Sequence, residues 1–160
     1  MLISGNLKLN SLDYVLIVDR DYNIIFNTRY ESKVNSTAKD FSKDEYLKKN
    51  LFEAYPSLDR ATSSVVECIT TGEVVIRKFQ KIVDFTGKVT WSNNITVPLI
   101  RKGMIMGAVE LAKDVTTVDT LESENNEDDR LFNELAESIK KDVGVVTFDK
   151  ILTSNTTMLK

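Results

Sequence analysis

The chain has 160 residues, a net charge of −3, 42% hydrophobic and 28% charged residues, which suits one domain of about 100–150 residues plus a tail. With no histidine and a single cysteine, Cys68, it has no Ser-His-Asp or Cys-His pair, no histidine-ligated zinc or haem, no thiolate cluster and no internal disulfide. No basic block suggests nucleic-acid binding by this segment, and no apolar run approaches the ~18 residues of a membrane span.

The N-terminal segment 1–11 lacks the apolar core of a signal peptide. Together with a lone cysteine, that points to a reducing cytoplasm. Leu12 to Asp19 is a dense run rich in β-branched residues, and Tyr22 to Thr28 reads as a second strand across the polar break Asp19-Arg20-Asp21. From Arg29 to about Asn50 the chain is polar, with short helical turns expected around Phe41 and Tyr46-Leu47. A short helix from Leu51 should stop at Tyr55, because Pro56 cannot continue it and restricts the residue before it. A second helix is expected to be capped by Ser57 or Asp59. It should bury Ala61, Val65, Cys68 and Ile69 and end at a left-handed Gly72 near Thr71.

From Glu73 the period changes from helical to alternating. Glu73 to Phe85, Lys88 to Ile100 and Met104 to Lys113 read as three long strands with turns at Thr86-Gly87 and Arg101-Lys102-Gly103. In the middle strand Val89, Trp91, Asn93, Ile95, Val97 and Leu99 share one face, expected to point inward, while Thr90, Ser92, Asn94 and Thr96 share the other. Pro98 lacks a backbone donor and should lie near a strand end or bulge. On the last strand Met104, Met106, Ala108 and Ala112 form an apolar face assigned to the outside, a seat for an N-terminal segment or a second copy. Glu110 interrupts that face and would pair with a lysine such as Lys113 or contact another subunit. Residues 119–130 are acidic and read as a solvated linker or exposed helix, with Thr116/Asp119 or Asp119/Glu122 as helix-start caps. A helix from Asp128 to Asp142 presents Leu131, Phe132, Leu135, Ala136 and Ile139 as one stripe, ending at Gly144. That stripe needs a partner, either its own domain or a second chain.

Two strands, short helices, three long strands and an exit at Asp114-Val115-Thr116 are the order of a PAS domain. The chain resembles one over residues 12–118, through DYVLIVDRDYNIIFNT, GEVVIRKFQ, TGKVTWSNNITVPL and GMIMGAVELAKDVT. The TWSNNITVPLI and GAVELAKDVT strands further resemble the N-terminal sensors of sigma-54-dependent transcriptional activators, the arginine-utilisation regulators among them. The resemblance implies an α+β PAS fold, a five-stranded antiparallel sheet with short helices on one face and a C-terminal linker helix. It divides the chain into an N-terminal segment 1–11, a PAS sensor 12–118, an acidic linker and helix 119–144, and 145–160 as the lead-in to an AAA+ domain. In that lead-in Thr147-Phe148-Asp149-x-Ile151 matches, and Leu152-Thr153 stands where the family has glycine. It also implies a homodimer, a small-molecule effector, and a regulatory rather than catalytic role.

A PAS fold leaves a cavity between the inner sheet face and its short helices. Asn93, placed inward, would need a partner there, since a buried unpaired amide costs roughly 1–3 kcal/mol. A ligand, a nearby backbone, Tyr55, Asn27 or a water would each serve, and a one-residue bulge would turn Asn93 outward and Asn94 inward. Trp91 reads as core or as a stacking platform, and Arg77 as a carboxylate clamp or a solvated strand residue. Cys68 reads as a structural buried thiol, outside any flavin-adduct motif. No haem or flavin motif is present. Asp114 and Thr116 are assigned to the signal exit, where their side chains fix the angle of the departing chain. Alternatively, the domain is a ligand-free dimerisation module whose cavity is filled by Trp91, Phe79 and methionines.

Overall fold

The computed structural model describes residues 12–28, 49–116, 127–142 and 146–147. The segment 1–11, the turns around Phe41 and Tyr46-Leu47, the linker caps at Asp119 and Glu122, Gly144, and residues 148–160 lie outside these. Strands β1 (Tyr14–Asp19) and β2 (Ile24–Asn27) are followed by helices α1 (Leu51–Ala54) and α2 (Ser64–Thr71). Strands β3 (Val75–Val83), β4 (Val89–Arg101) and β5 (Met104–Asp114), helix α3 (Glu127–Asp142) and the two-residue β6 (Val146–Thr147) complete the order. The five main strands form an antiparallel sheet, as expected, and their order is β2-β1-β5-β4-β3, with β6 adding a short parallel pairing to the end of β4.

Local chemistry places each turn. The Asp19 carboxylate accepts from the backbone N–H groups of Asp21 and Asn23, both at 2.9 Å, which closes the first hairpin with Tyr22 at positive φ. Lys102 and Gly103, with φ of 49° and 76°, make the β4–β5 turn in the left-handed geometry that matches strand twist. Helix α1 opens with an Asn50–Glu53 capping box. Helix α2 is capped by Ser63, downstream of the expected Ser57 or Asp59, and ends at Gly72 with φ 73° as expected. Asp59 instead closes a separate turn on Ala61 N–H at 2.9 Å, so Ala61 is exposed and the buried stripe starts at Val65.

Both faces of the sheet are covered, by different elements. On the inner face α1 and α2 pack Leu51, Ala54, Tyr55, Val65 and Cys68 against Leu16, Val18, Val75, Ile82 and Ala108. On the outer face α3 lays Phe132, Leu135, Ala136 and Ile139 over Ile95 and Val97, with Leu12, Val74, Ile76 and Leu111 around them. The stripe of α3 therefore finds its partner on its own domain. The start of the outer face extends past this cover, leaving Val89 43% and Trp91 39% exposed.

Strand β3 carries the irregularity that reconciles both faces. Val75 and Ile82 are an odd number of residues apart, yet both belong to the inner core, which a regular strand forbids because successive side chains alternate faces. A one-residue bulge resolves this. Arg77 pairs with Asn94 while Gln80 pairs with Ser92, so three steps on β3 match two on β4. Pro98 sits beyond the last β3 pairing at Thr96 and one residue before a second register shift at Leu99/Ile100, consistent with its missing donor.

Gly107 lies opposite Asp19 where β5 meets β1, and a Cβ there would stand 2.0 Å from the Val18 carbonyl oxygen. Relief requires the central β1–β5 pair to separate. Gly107→Ala is expected to cost roughly 2–3 kcal/mol and to lower the melting temperature by about 10 °C. A thermal melt indistinguishable from the parent would contradict this packing.

Candidate functional site

Alternation along β4 decides which of its rows faces helices α1 and α2. Thr90, Ser92, Asn94 and Thr96, all buried, pair with Ile82, Gln80, Arg77 and Val75 on β3 and point to the α1/α2 side. Glu110 and Ala112 of β5 share that side, through their pairings with Thr96 and Asn94. The expected orientation is therefore reversed. Asn93 and Trp91 lie on the outer face, and Ala108, Glu110 and Ala112 on the inner one. Apolar content marked the β4 face that α3 covers through Ile95 and Val97, rather than the face toward the cavity helices.

The cavity lies among β1, β2, β3, β5, α1 and α2, lined by Tyr14, Leu16, Asn27, Leu51, Tyr55, Leu58, Ser63, Ser64, Val65, Gln80, Ile82, Glu110 and Ala112. Its free volume is about 20 Å³, room for about one water. Two of the expected ligand residues are there: Asn27 Nδ2 donates to Tyr55 Oη at 2.8 Å, both side chains buried. At the far wall Ser64 Oγ donates to Glu110 Oε2 at 2.9 Å, and Thr96 Oγ1 lies 3.2 Å from both of those oxygens. Asn94 Nδ2 donates to Gln80 Oε1 at 2.7 Å. Asn94 Oδ1 and Ser92 Oγ are buried with no hydrogen-bond partner among the described residues, which is costly for groups removed from water.

The remaining candidates lie elsewhere. Asn93 Oδ1 accepts from the Phe79 N–H at 2.9 Å and so holds the β3 bulge. Arg77 pairs with Glu67 of α2, both more than a third exposed. Trp91 is on the outer face, and neither it, Phe79 nor any methionine lines the cavity, so those side chains do not fill it. Lys113 pairs with Asp13 at 3.5 Å rather than with Glu110. Asp114 and Thr116 form a local knot at the exit. Asp114 Oδ1 accepts from the Thr116 N–H at 2.9 Å, and Thr116 Oγ1 accepts from the Trp91 N–H at 3.0 Å. The Asp114 N–H in turn donates to Asp13 at 2.8 Å. Glu110, Ser64, Thr96 and Gln80 were not sequence candidates for the cavity side; for Thr96, as for Asn94, the signal was the four polar residues at alternate positions of β4. Among the described residues no group of acidic or cysteine side chains could hold a metal ion, and no helix is long and apolar enough to cross a membrane.

A 2-1-5-4-3 antiparallel sheet, with helices inserted between strands two and three closing a cavity on one face, decides the architecture. The chain has a PAS fold. No protein-family profile matches it. It is 30% identical over 145 residues to the transcriptional activator RocR of Bacillus subtilis. The match covers 90% of this chain and 28% of RocR, so the chain spans well under a third of that relative. Among solved structures, the PAS domain of a Colwellia psychrerythraea protein is similar at 16% identity with a TM-score of 0.49, over 67% of this chain and 92% of that one. The PAS domain of nitrogen regulation protein NR(II) from Vibrio parahaemolyticus is similar at 18% identity with a TM-score of 0.46, over 68% and 99%.

In this PAS domain Cys68 is fully buried on α2, as expected for a structural thiol. Burial first, then the nearby Glu110 and Glu67 carboxylates, push its pKa from 9.0 up to about 12. The folded state holds the neutral thiol, whereas the unfolded chain ionises it from about pH 9. This contribution is complete below that pH and is lost as pH rises toward 12. Native protein at pH 8 should resist alkylation by iodoacetamide and react once denatured. Cys68→Ala should show a shallower loss of stability between pH 9 and 12 than the parent. Rapid native alkylation would mean that the thiol is accessible.

Proposed function

We propose that this PAS domain is the cytoplasmic sensor of a sigma-54-dependent transcriptional activator of the arginine-utilisation type. It would bind a small molecule between the sheet and helices α1 and α2. The single observation that carries the reading is the buried polar row facing α1 and α2, Thr90, Ser92, Asn94 and Thr96 beside the cavity-lining Glu110, with Asn94 Oδ1 and Ser92 Oγ unpartnered among the described residues. A core built only for stability fills such positions with apolar side chains. The likeness to RocR supports a place in transcription control. The effector, an amino acid of the pathway on this reading, would favour one of two states and shift the population between them. Asp114 and Thr116 would orient the linker that carries the shift through α3 toward an AAA+ domain, and the protein would work as a dimer without catalysing a reaction.

A thermal-shift screen with amino acids and common metabolites tests the reading. A true effector at 100 times its Kd should stabilise by about 2.7 kcal/mol, a rise of several degrees. Glu110→Gln and Asn94→Ala should abolish the rise, while Trp91→Phe, on the other face, should keep it. The small free volume favours a second reading, a ligand-free dimerisation module. A stable dimer with no response across a broad panel would establish that reading instead.

The exit is tested separately. Replacing Asp114 and Thr116 together by alanine should leave the effector's thermal shift intact and uncouple transcription activation in the full-length protein. Loss of the shift itself would place these residues in the binding site rather than at the hinge.

A further inference from the structure

Three features outside the cavity invite a role. The exposed Val89–Trp91 patch carries nothing that identifies a partner, and Cys68 is explained by burial. The third, the β3 bulge, connects the two covered faces of the sheet.

Arg77 and Lys78 are consecutive, so they leave β3 on opposite faces. Arg77 points inward and pairs with Glu67 on α2, the helix that walls the cavity. Lys78 points outward, and its Nζ lies 3.1 Å from Asp129 Oδ1 on α3. The next residue, Phe79, is the extra residue of the bulge and has φ 52°, a left-handed conformation costly for an aromatic side chain. Its N–H is held by the Asn93 carboxamide of β4.

Both ion pairs therefore depend on where the extra residue sits. If it moved to a position before Arg77, Arg77 would turn outward and Lys78 inward, because a one-residue slip exchanges faces. Both pairs would break in one step. We infer that the β3 bulge is a two-position relay, which ties the cavity helix α2 to the docking of α3 through Glu67–Arg77 and Lys78–Asp129. Asn93 is the positioning residue that holds one setting. The relay adds to the sensing reading a route by which a change at α2 reaches α3, and it can be tested with no ligand, so its failure and the failure of sensing are separable.

Hydrogen exchange on the 160-residue chain, with α3 amides referenced to those of β5, is the test. Exposed ion pairs of this kind shift an equilibrium about two- to fivefold. Glu67→Gln removes a partner on the inner face, yet should raise α3 exchange by about that factor, as Asp129→Asn should directly. The double variant should raise α3 exchange by about the product of the single effects, because both pairs stabilise the same setting of one equilibrium and their free energies add. Asn93→Ala should raise exchange in α2 and α3 together. Should Glu67→Gln melt without cooperativity, the charge swap Glu67→Arg with Arg77→Glu serves instead and should restore α3 protection. Unchanged α3 exchange in Glu67→Gln, a double variant no different from Asp129→Asn alone, or failed protection in the swap would each overturn the relay.

Discussion

Strand β4 pairs with β3 from Val89 to Thr96 and with β5 from Ser92 to Arg101, and its two side-chain rows meet different neighbours. One row, Ile95 and Val97, supports the hydrophobic seat of α3. The other, Thr90, Ser92, Asn94 and Thr96, faces the helices that close the cavity. Backbone alternation makes the two rows inseparable, since neither can turn without the other. Everything on the two faces is therefore registered to one strand.

Burying both rows imposes different costs. The outer row is satisfied by dispersion and exclusion of water, which need no direction. The inner row must be satisfied by hydrogen bonds, and it is so only in part. Thr96 is tied to Ser64 and Glu110, and Asn94 reaches Gln80 with its nitrogen while its oxygen has no partner among the described residues. A core with such a row gives up stability relative to an apolar one. The β3 bulge belongs to the same arrangement, because it lets Val75 and Ile82 both face inward while presenting Arg77 and Lys78 to helices on opposite sides.

Much of the architecture was readable residue by residue. The β-branched run before Asp19, the Pro56 stop, the Gly72 cap and the turns at Gly87 and Gly103 each act over a few residues, and each falls where its chemistry requires. Of the candidate residues, Tyr55 and Asn27 line the cavity, whereas Asn93, Trp91 and Arg77 do not. Ser57 and Asp59 competed with Ser63 for the helix start. All three are good caps, and only packing of Val65 and Cys68 against the sheet selected the last.

The sequence alone determined strand periods, turns, helix ends and the presence of two chemically distinct faces on β4. These follow from local sterics and from alternation, which need no knowledge of distant neighbours. Which face looks into the cavity was decided only by tertiary structure. Hydrophobicity reports that a face is covered and says nothing of what covers it, and here α3 folds back to claim the more apolar one. The bulge at Phe79 was decided the same way, because an extra residue has no local signature and appears only when two cores must be met by one strand.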